Sequence, residues 1–143
     1  MNEQIYSFIP LLKMINDGIE KKINNELKEF DLTFSQIRVV ALLYHSVQEN
    51  YSMKELEKIF HVSQQTIAGI VKRLEAKDMI VSISDADDKR IKRIKLTENG
   101  KKLGAEAQLI KVEKIEEWVL KPLNAEEQDM ILSLLKKIYN YIE

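Results

Sequence analysis

Cysteine is absent from this chain of 143 residues, which excludes a disulfide framework, thiolate metal ligands and a thiol redox switch. Only two histidines, His45 and His61, remain as imidazoles. No apolar run approaches the roughly 20 residues of a membrane span. The first residues, MNEQIYSFIP, also lack the positive charge of a signal peptide. We therefore expect a cytoplasmic protein with no metal, no cofactor and no membrane partner.

Catalytic motifs are missing as well. There is no Gly-rich phosphate loop, no His-x-x-x-His pair and no cysteine nucleophile. Glu113, Glu116 and Glu117 together with Lys114 indicate a charged helix surface rather than a carboxylate pair. We therefore expect that the protein is not an enzyme.

Proline and glycine are scarce, with two and four residues, so the chain offers few places to break a helix. Apolar residues recur at steps of three and four from Asn2 to Glu29, which predicts a long amphipathic helix. Ser and Thr capping signals at Thr33, Ser52 and Ser63 predict three further helix starts. The fold should be mainly α.

The helix that follows Ser63 should run from Gln64 to about Lys77. It places Ile67, Ile70, Val71 and Leu74 on one face, and these should be buried. Polar, small and cationic residues point the other way. Such a face is typical of a solvated helix, but it also suits the major groove of DNA, where Gln can pair with a base edge and Lys or Arg reaches guanine or phosphate.

Two helices, Met53 to Phe60 and the one after Ser63, are joined by the brief turn His61-Val62, which is helix-turn-helix spacing. Ile80 to Ser84 and Ile91 to Thr97 then predict the two strands of a β-hairpin. Positive charge is concentrated here: Lys89 to Lys102 carry seven Lys or Arg and one acid, although the whole chain has a net charge of -1. A helix-turn-helix with a basic hairpin behind it is a winged helix.

The sequence resembles the MarR-like winged-helix transcription regulators (multiple antibiotic resistance regulator type). The resemblance rests on three segments, Leu32 to Arg38, Val62 to Glu75, and Asp88-Lys-Arg90 followed by Leu96-Thr-Glu-Asn-Gly100. It implies a homodimer on a pseudo-palindromic operator, with one helix of each subunit in a major groove and the wing tips in flanking minor grooves. The DNA-binding residues that it implies are Ser63, Gln64, Gln65, Thr66, Ala68, Lys72, Arg73 and Arg90. We add Lys89 and Lys92, as cations that would lie beside phosphates.

Arg90 is the residue that we most expect to contact DNA, by entering a narrow minor groove whose negative potential attracts a planar cation. The alternative is that Arg90 only pairs with Asp87 or Asp88 on an exposed turn, worth 0 to about 1 kcal/mol. Asp88 would orient the arginine or close the turn. Arg93 and Lys95, like Lys89 and Lys92, would lie near phosphates or remain solvated.

Three positions depart from the family pattern. Gly69 stands where many members carry a larger polar or basic residue. His61 occupies a turn position usually held by Gly, so we expect a positive or near-positive φ and no role as a metal or effector ligand. Asp78 stands where Gly commonly ends the recognition helix, and the sequence offers no functional account of it.

The ends of the chain predict a dimerisation region. Thr97 should cap a helix from Glu98 to Leu120, which Pro122 ends, and Asn124 should cap a last amphipathic helix. These helices and the first one exceed what a small winged helix needs to cover its core, so we expect an isologous bundle of two chains. The domains would be 1–30 and 101–143 for dimerisation and 31–100 for DNA binding. The dimer contacts would come from Ile5, Ile9, Leu12, Ile131, Leu134, Leu135, Ile138 and Ile142.

The function expected is therefore sequence-specific binding of double-stranded DNA by a homodimeric transcription regulator, a repressor that a small-molecule effector releases. The sequence does not identify the effector. Leu12, Ile15, Ile19, Ile37 and Tyr44 could line its pocket, but core packing explains them equally well, and His45 is either a helix C-terminal partner or a pocket wall. The alternative function is a winged-helix module that binds a protein through the same surface, without specific DNA binding.

Overall fold

A computed structural model describes residues 6–107 and 112–143 of the chain. They form two compact units, one of residues 6–19 and 112–143 and the other of residues 20–107. The fold is mainly α with a small antiparallel sheet, as predicted. Its elements are α1 (Phe8–Glu26), α2 (Phe34–His45), β1 (Asn50–Ser52), α3 (Met53–Phe60), α4 (Gln64–Ala76), β2 (Ile80–Ser84), β3 (Lys92–Leu96), α5 (Glu98–Ala107), α6 (Val112–Leu120) and α7 (Ala125–Ile142).

The predicted helix starts are confirmed. The side chains of Thr33, Ser52 and Asn124 each accept a hydrogen bond from the backbone N–H three residues later. Their own backbone N–H groups donate to the side chain of that later residue, which completes a capping box. Ser63 caps α4 with its hydroxyl alone, which accepts from the Thr66 N–H at 3.2 Å. Satisfied N–H groups at these four positions explain why the helices begin where they do.

Two predicted helices are matched only in part by the described residues. The first helix begins at Phe8 and ends at Glu26, because a 3₁₀ turn, Lys28–Phe30, follows it and closes with Asp31 at φ 53°. The proposed start at Asn2 and the proposed dimer residue Ile5 lie outside the described residues. In the predicted helix from Glu98 to Leu120, α5 and α6 are helical, and residues 108–111 between them are likewise outside.

The sheet has a third strand that the sequence analysis did not predict. Its strand order is β1-β3-β2, with Tyr51 opposite Ile94 on one side of β3 and Ser82 opposite Ile94 on the other. Three residues are too few to show the alternation that marks a strand, and β1 forms because it pairs with β3. The predicted second strand, Ile91 to Thr97, is shorter by one residue at each end. At its C-terminal end, Thr97 instead precedes α5, and its hydroxyl accepts a hydrogen bond from the Gly100 N–H.

One apolar core holds the winged helix together. Leu56, Ile67 and Leu74 are fully buried, and Ile94 is 1% exposed. The other predicted inward residues of α4, Ile70 and Val71, are also buried. His61 adopts φ 51° and ψ 44° as expected, so the chain reverses between α3 and α4 without a glycine.

The structure explains Asp78, for which the sequence offered no role. Asp78 ends α4 at φ 56°, its carbonyl accepts from the Thr97 hydroxyl at 2.6 Å, and its carboxylate accepts from the Asn99 amide at 2.8 Å. A Cβ at Gly100 would lie 2.0 Å from the Met79 carbonyl oxygen, so only glycine permits this approach. The Leu96 to Gly100 motif therefore ties the end of the hairpin to the end of α4.

The unit formed by residues 6–19 and 112–143 leaves most of its apolar side chains exposed. Helix α7 has no buried residue, and α1 exposes Phe8, Ile9 and Met14 by more than half. None of the helices in the described ranges is long and apolar enough to cross a membrane.

Candidate nucleic-acid interface

The outward side of α4 is a continuous exposed surface. Its residues are Ser63, Gln64, Gln65, Thr66, Ala68, Lys72 and Arg73, and all seven are exposed; we call them the recognition face. They stand out because Ile67, Ile70, Val71 and Leu74 occupy the opposite side of the same helix. The helix itself is held by the core rather than by contacts of the face.

Several side chains of the recognition face have no internal partner. Ser63 and Thr66 are used in the cap, where their hydroxyl oxygens are 2.9 Å apart. The side chains of Gln64, Gln65, Lys72 and Arg73, in contrast, make no hydrogen bond or ion pair with another described residue. Amide groups that can each donate and accept, beside two free cations, provide what base edges and phosphates require.

Gly69 lies at the side of this face in open space. A Cβ built there would have no atom within 4 Å outside the helix backbone. The glycine is therefore not required by packing within the described protein.

The turn of the hairpin is built by aspartates. One carboxylate oxygen of Asp85 accepts from the backbone N–H groups of Asp87 and Asp88, at 3.0 and 3.1 Å, while the Asp85 N–H and the Ile91 carbonyl oxygen close the loop at 2.9 Å. Residues 85–91, here called the wing tip, are thus an ordered turn. The acids before the basic run are turn-forming groups, which agrees with their sequence pattern.

Arg90 extends from this turn with its side chain 90% exposed. Asp88 accepts from Nε at 3.0 Å, from Nη2 at 2.9 Å and from the Arg90 backbone N–H at 3.0 Å. The side-chain hydrogen bonds from Arg90, followed by its backbone N–H, hold the pKa of Asp88 below its ordinary value, and the same pair raises the pKa of Arg90. The forked contact fixes the direction of an otherwise flexible guanidinium.

Lys89 and Lys92 are also exposed and have no ion-pair partner among the described residues, which suits the phosphate role expected of them. Arg93 differs from them. Its side chain is 22% exposed and is engaged by Asn50, Glu55 and Asp85, with Nη2 3.3 Å from the Glu55 carboxylate and Nη1 3.5 Å from that of Asp85. The sequence analysis expected Arg93 to lie near phosphates or remain solvated and did not predict these contacts within the protein.

The contacts of Arg93 could not be found from sequence. Asn50 is 43 residues away and belongs to the strand that the sequence did not reveal, and Glu55 is 38 residues away in the first turn of α3. The pKa of Glu55 is lowered chiefly by the Ser52 backbone N–H and further by the charge of Arg93, with partial burial opposing both.

A mostly apolar open cavity of about 430 Å³ lies beside α2 and the end of α3. The guanidinium carbon of Arg38 is 4.8 Å from the centre of the Phe60 ring, a cation–π contact. His45, the last residue of α2, forms part of the cavity wall. The cavity contains none of the five residues first considered for a pocket; its lining is Arg38, Ala41, Leu42, His45, Ser46, Tyr51 and Phe60.

Metal binding finds no support in the described ranges, where no three His, Cys, Asp or Glu residues come close enough together to hold an ion.

Comparison with known proteins agrees with this geometry. Residues 30–91 match the model of the MarR family. The chain is similar to MepR of S. aureus in a MepR–DNA complex, at 26% identity and a TM-score of 0.87, over 95% of this chain and 98% of that one. A mutant MarR from E. coli complexed with operator DNA has 24% identity and a TM-score of 0.85, over 94% and 95% of the two chains. The MarR-like resemblance predicted from the sequence is confirmed.

Proposed function

We infer that this MarR-like chain is a DNA-binding transcription regulator, whose recognition face reads bases in the major groove and whose wing tip contacts the adjacent minor groove. The observation that carries this proposal is the pair of surfaces described above: a helix face whose Gln, Lys and Arg side chains have no partner among the described residues, and an exposed, oriented arginine, both in one compact unit. The MepR and MarR structures named above were solved with DNA, and the likeness to them supports the same partner here.

Each contact has a physical role in the proposal. Gln64 and Gln65 would pair with base edges, since an amide can donate and accept at one base. Lys72, Arg73, Lys89 and Lys92 would neutralise phosphates and set affinity without reading sequence. Ser63, Thr66 and Ala68 are small, which lets the helix approach the floor of the groove.

The proposal includes a homodimer. Leu134 and Ile142 are 51% and 71% exposed in the single chain, and Ile131, Leu135 and Ile138 are each 38 to 39% exposed. Ile9 and Leu12 of α1 are exposed as well. Exposed apolar side chains in such number call for a partner, and a second copy would create the two-fold symmetry that matches an inverted-repeat operator.

The dimer is tested by light scattering after size exclusion on the full chain and on Leu135→Asp. The wild-type chain should have about twice the mass of a monomer, and the variant should be monomeric with unchanged helical circular dichroism. A monomeric wild-type chain at micromolar concentration would contradict the dimer while leaving the DNA surface to be tested by itself.

The finer parts of the proposal are that the protein represses transcription and that a small-molecule effector releases it from DNA. Release would follow if an effector binds better to a conformation that does not fit the operator. A regulator of transcription works where the DNA is, so the proposal places the protein in the cytoplasm and assigns it no catalytic activity.

Selection from random double-stranded DNA at moderate salt, followed by a small-molecule release panel, tests the function directly. A preferred inverted repeat is expected, with affinity that falls steeply as salt rises because bound cations are released from the phosphates. Reporter expression from the selected sequence then tells repression from activation. If no duplex is preferred, the protein-interaction alternative replaces the regulator.

A further inference from the structure

Arg93 occupies the point where the wing tip, β1 and the start of α3 meet. Its three guanidinium nitrogens serve three different segments: Nε donates to the Asn50 side chain, Nη1 to Asp85 and Nη2 to Glu55. We call these four residues the Arg93 network. With its side chain only 22% exposed, Arg93 has little contact with solvent.

Each acid in the network has a second structural task. The Glu55 oxygen that faces Arg93 also accepts the Ser52 N–H at 2.7 Å and completes the capping box of α3. The two oxygens of Asp85 are divided, one toward Arg93 and the other toward the N–H groups of Asp87 and Asp88. Asp88 in turn holds Arg90. A continuous chain of polar contacts therefore runs from the first turn of α3 to the tip arginine.

From these contacts we propose that Arg93 is a positioning residue that fixes the wing tip relative to the helix-turn-helix, and so aims Arg90 at DNA, rather than a residue that contacts phosphate. β1 pairs with β3 only as far as Ser52 opposite Arg93, so beyond this pair the tip is carried by the two hairpin strands alone. A two-stranded ribbon has little stability of its own. The network adds a side-chain link to α3, which packs on α4, the helix that carries the recognition face. The proposal rests on the proposed DNA-binding function for its consequence, but not for the structural link itself.

The planar fork of arginine is what makes the network specific. One lysine ammonium is a compact point charge and cannot span acceptors placed on three segments, whereas it can replace arginine at a simple phosphate contact. Arg93→Lys therefore separates the two roles: a positioning residue loses its function, and a phosphate contact largely keeps it.

Hydrogen exchange of the free, full-length protein tests the link without DNA. In Arg93→Lys the amides of Asp85 and Ile91, which close the wing tip, should exchange at least about tenfold faster, while those of Ile70 to Leu74 keep the wild-type rates. Lys92→Gln is the matched control, since it removes a cation from the same strand but no network contact; its wing tip should exchange as in the wild type. Unchanged wing exchange in Arg93→Lys would overturn the proposal.

Binding to the duplex recovered by selection tests the consequence. Arg93→Lys should weaken binding about 5- to 150-fold, comparable to the loss of one base-contacting arginine. The double variant Arg93→Lys, Arg90→Ala should bind no more than about twofold more weakly than whichever single variant binds DNA less tightly. The reason is that Arg90, once it is no longer held in position, contributes little binding energy that its removal could still take away. Near-wild-type binding by Arg93→Lys, or losses that multiply, would contradict the positioning role.

The two hypotheses fail in different ways. A wild-type chain that prefers no duplex, combined with faster wing exchange in Arg93→Lys, would reject DNA regulation and retain the structural link. Sequence-specific DNA binding by the wild type, combined with unchanged wing exchange in Arg93→Lys, would retain DNA regulation and reject the structural link.

Discussion

The recognition face and the wing tip both present cations to solvent, but they are held by different forces. The recognition face is carried by a helix whose opposite side is buried, so its Gln, Lys and Arg side chains need no polar partner within the protein. The wing tip has no core of its own, and aspartates and arginines hold it in place through hydrogen bonds and ion pairs. An apolar support leaves the polar groups free for DNA, whereas a polar support already uses some of them.

This difference has a consequence for the wing. In the proposed complex, Arg90 either approaches DNA with its fork to Asp88 intact or releases the fork to contact DNA with its whole guanidinium. An exposed ion pair contributes little to stability, so exchanging the carboxylate of Asp88 for a DNA phosphate costs little. The contact with Asp88 thus orients Arg90 without preventing the guanidinium from exchanging the carboxylate for DNA in the proposed complex.

The largest expected effect comes from removing the support of the recognition face. Leu74→Ala deletes a fully buried side chain and should lower the free energy of unfolding by about 2 to 5 kcal/mol, measured by urea denaturation. Lys72→Ala, two positions earlier on the exposed side, is the control and should change stability by no more than about 0.5 kcal/mol. Equal stability losses would mean that the core does not support α4 as described.

Arg90→Ala tests the wing tip by comparing its effect on DNA affinity with its effect on stability. It should weaken binding to the selected duplex by roughly 1 to 3 kcal/mol, yet leave the urea midpoint almost unchanged because the side chain is exposed. Fluorescence anisotropy at two salt concentrations gives the affinity. A stability loss without an affinity loss would reduce Arg90 to a structural partner of Asp88, which is the alternative considered from the sequence.

Gln65→Ala and Lys92→Ala separate base reading from phosphate contact. Gln65→Ala should change which base is preferred at one position of each half-site, with a discrimination of about 1 to 3 kcal/mol. Lys92→Ala should weaken all duplexes alike and make the salt dependence shallower by about one phosphate contact. Selection with each variant gives both results. If both variants lose affinity equally on every sequence, the division of roles is wrong.

Gly69→Ala is expected to stabilise the protein. The space around Gly69 is open and its backbone is helical, so the new methyl group meets no atom while alanine favours the helix by about 0.5 to 1 kcal/mol. Thermal unfolding should show the gain, and Gly100→Ala should show a loss because of the Met79 carbonyl. If Gly69→Ala also keeps full DNA affinity, the glycine is not needed for close approach to the duplex.

The smallest effect concerns pH. Because the pKa of Asp88 lies below its ordinary value of 3.8, its pairing with Arg90 favours the folded wing above that pH and is lost as the pH falls through the lowered pKa. A carbon NMR titration of the Asp88 carboxyl should therefore give a midpoint below 3.8, and Arg90→Ala should move it upward. The same midpoint in both proteins would show that the fork does not persist in solution.

Much of the helical architecture is encoded locally. The capping signals at Thr33, Ser52, Ser63 and Asn124 mark helix starts because each satisfies free N–H groups with neighbours three residues away. The apolar spacing of α4 likewise separates its buried residues from the recognition face, and the positive φ of His61 follows from its place in the turn. These features depend on residues close in sequence, so they can be predicted without coordinates.

Tertiary structure decided the features that join distant segments. β1 exists because β3 offers it hydrogen bonds, Asp78 has a role because Thr97 and Asn99 approach it, and Arg93 acquires its partners from residues up to 43 positions away. The sequence determined which side chains α4 exposes and that a basic hairpin follows it. Only the packing of the hairpin on α3 decided which of its cations are free and which are used to hold it, because a cation's neighbours across the fold leave no mark in local spacing.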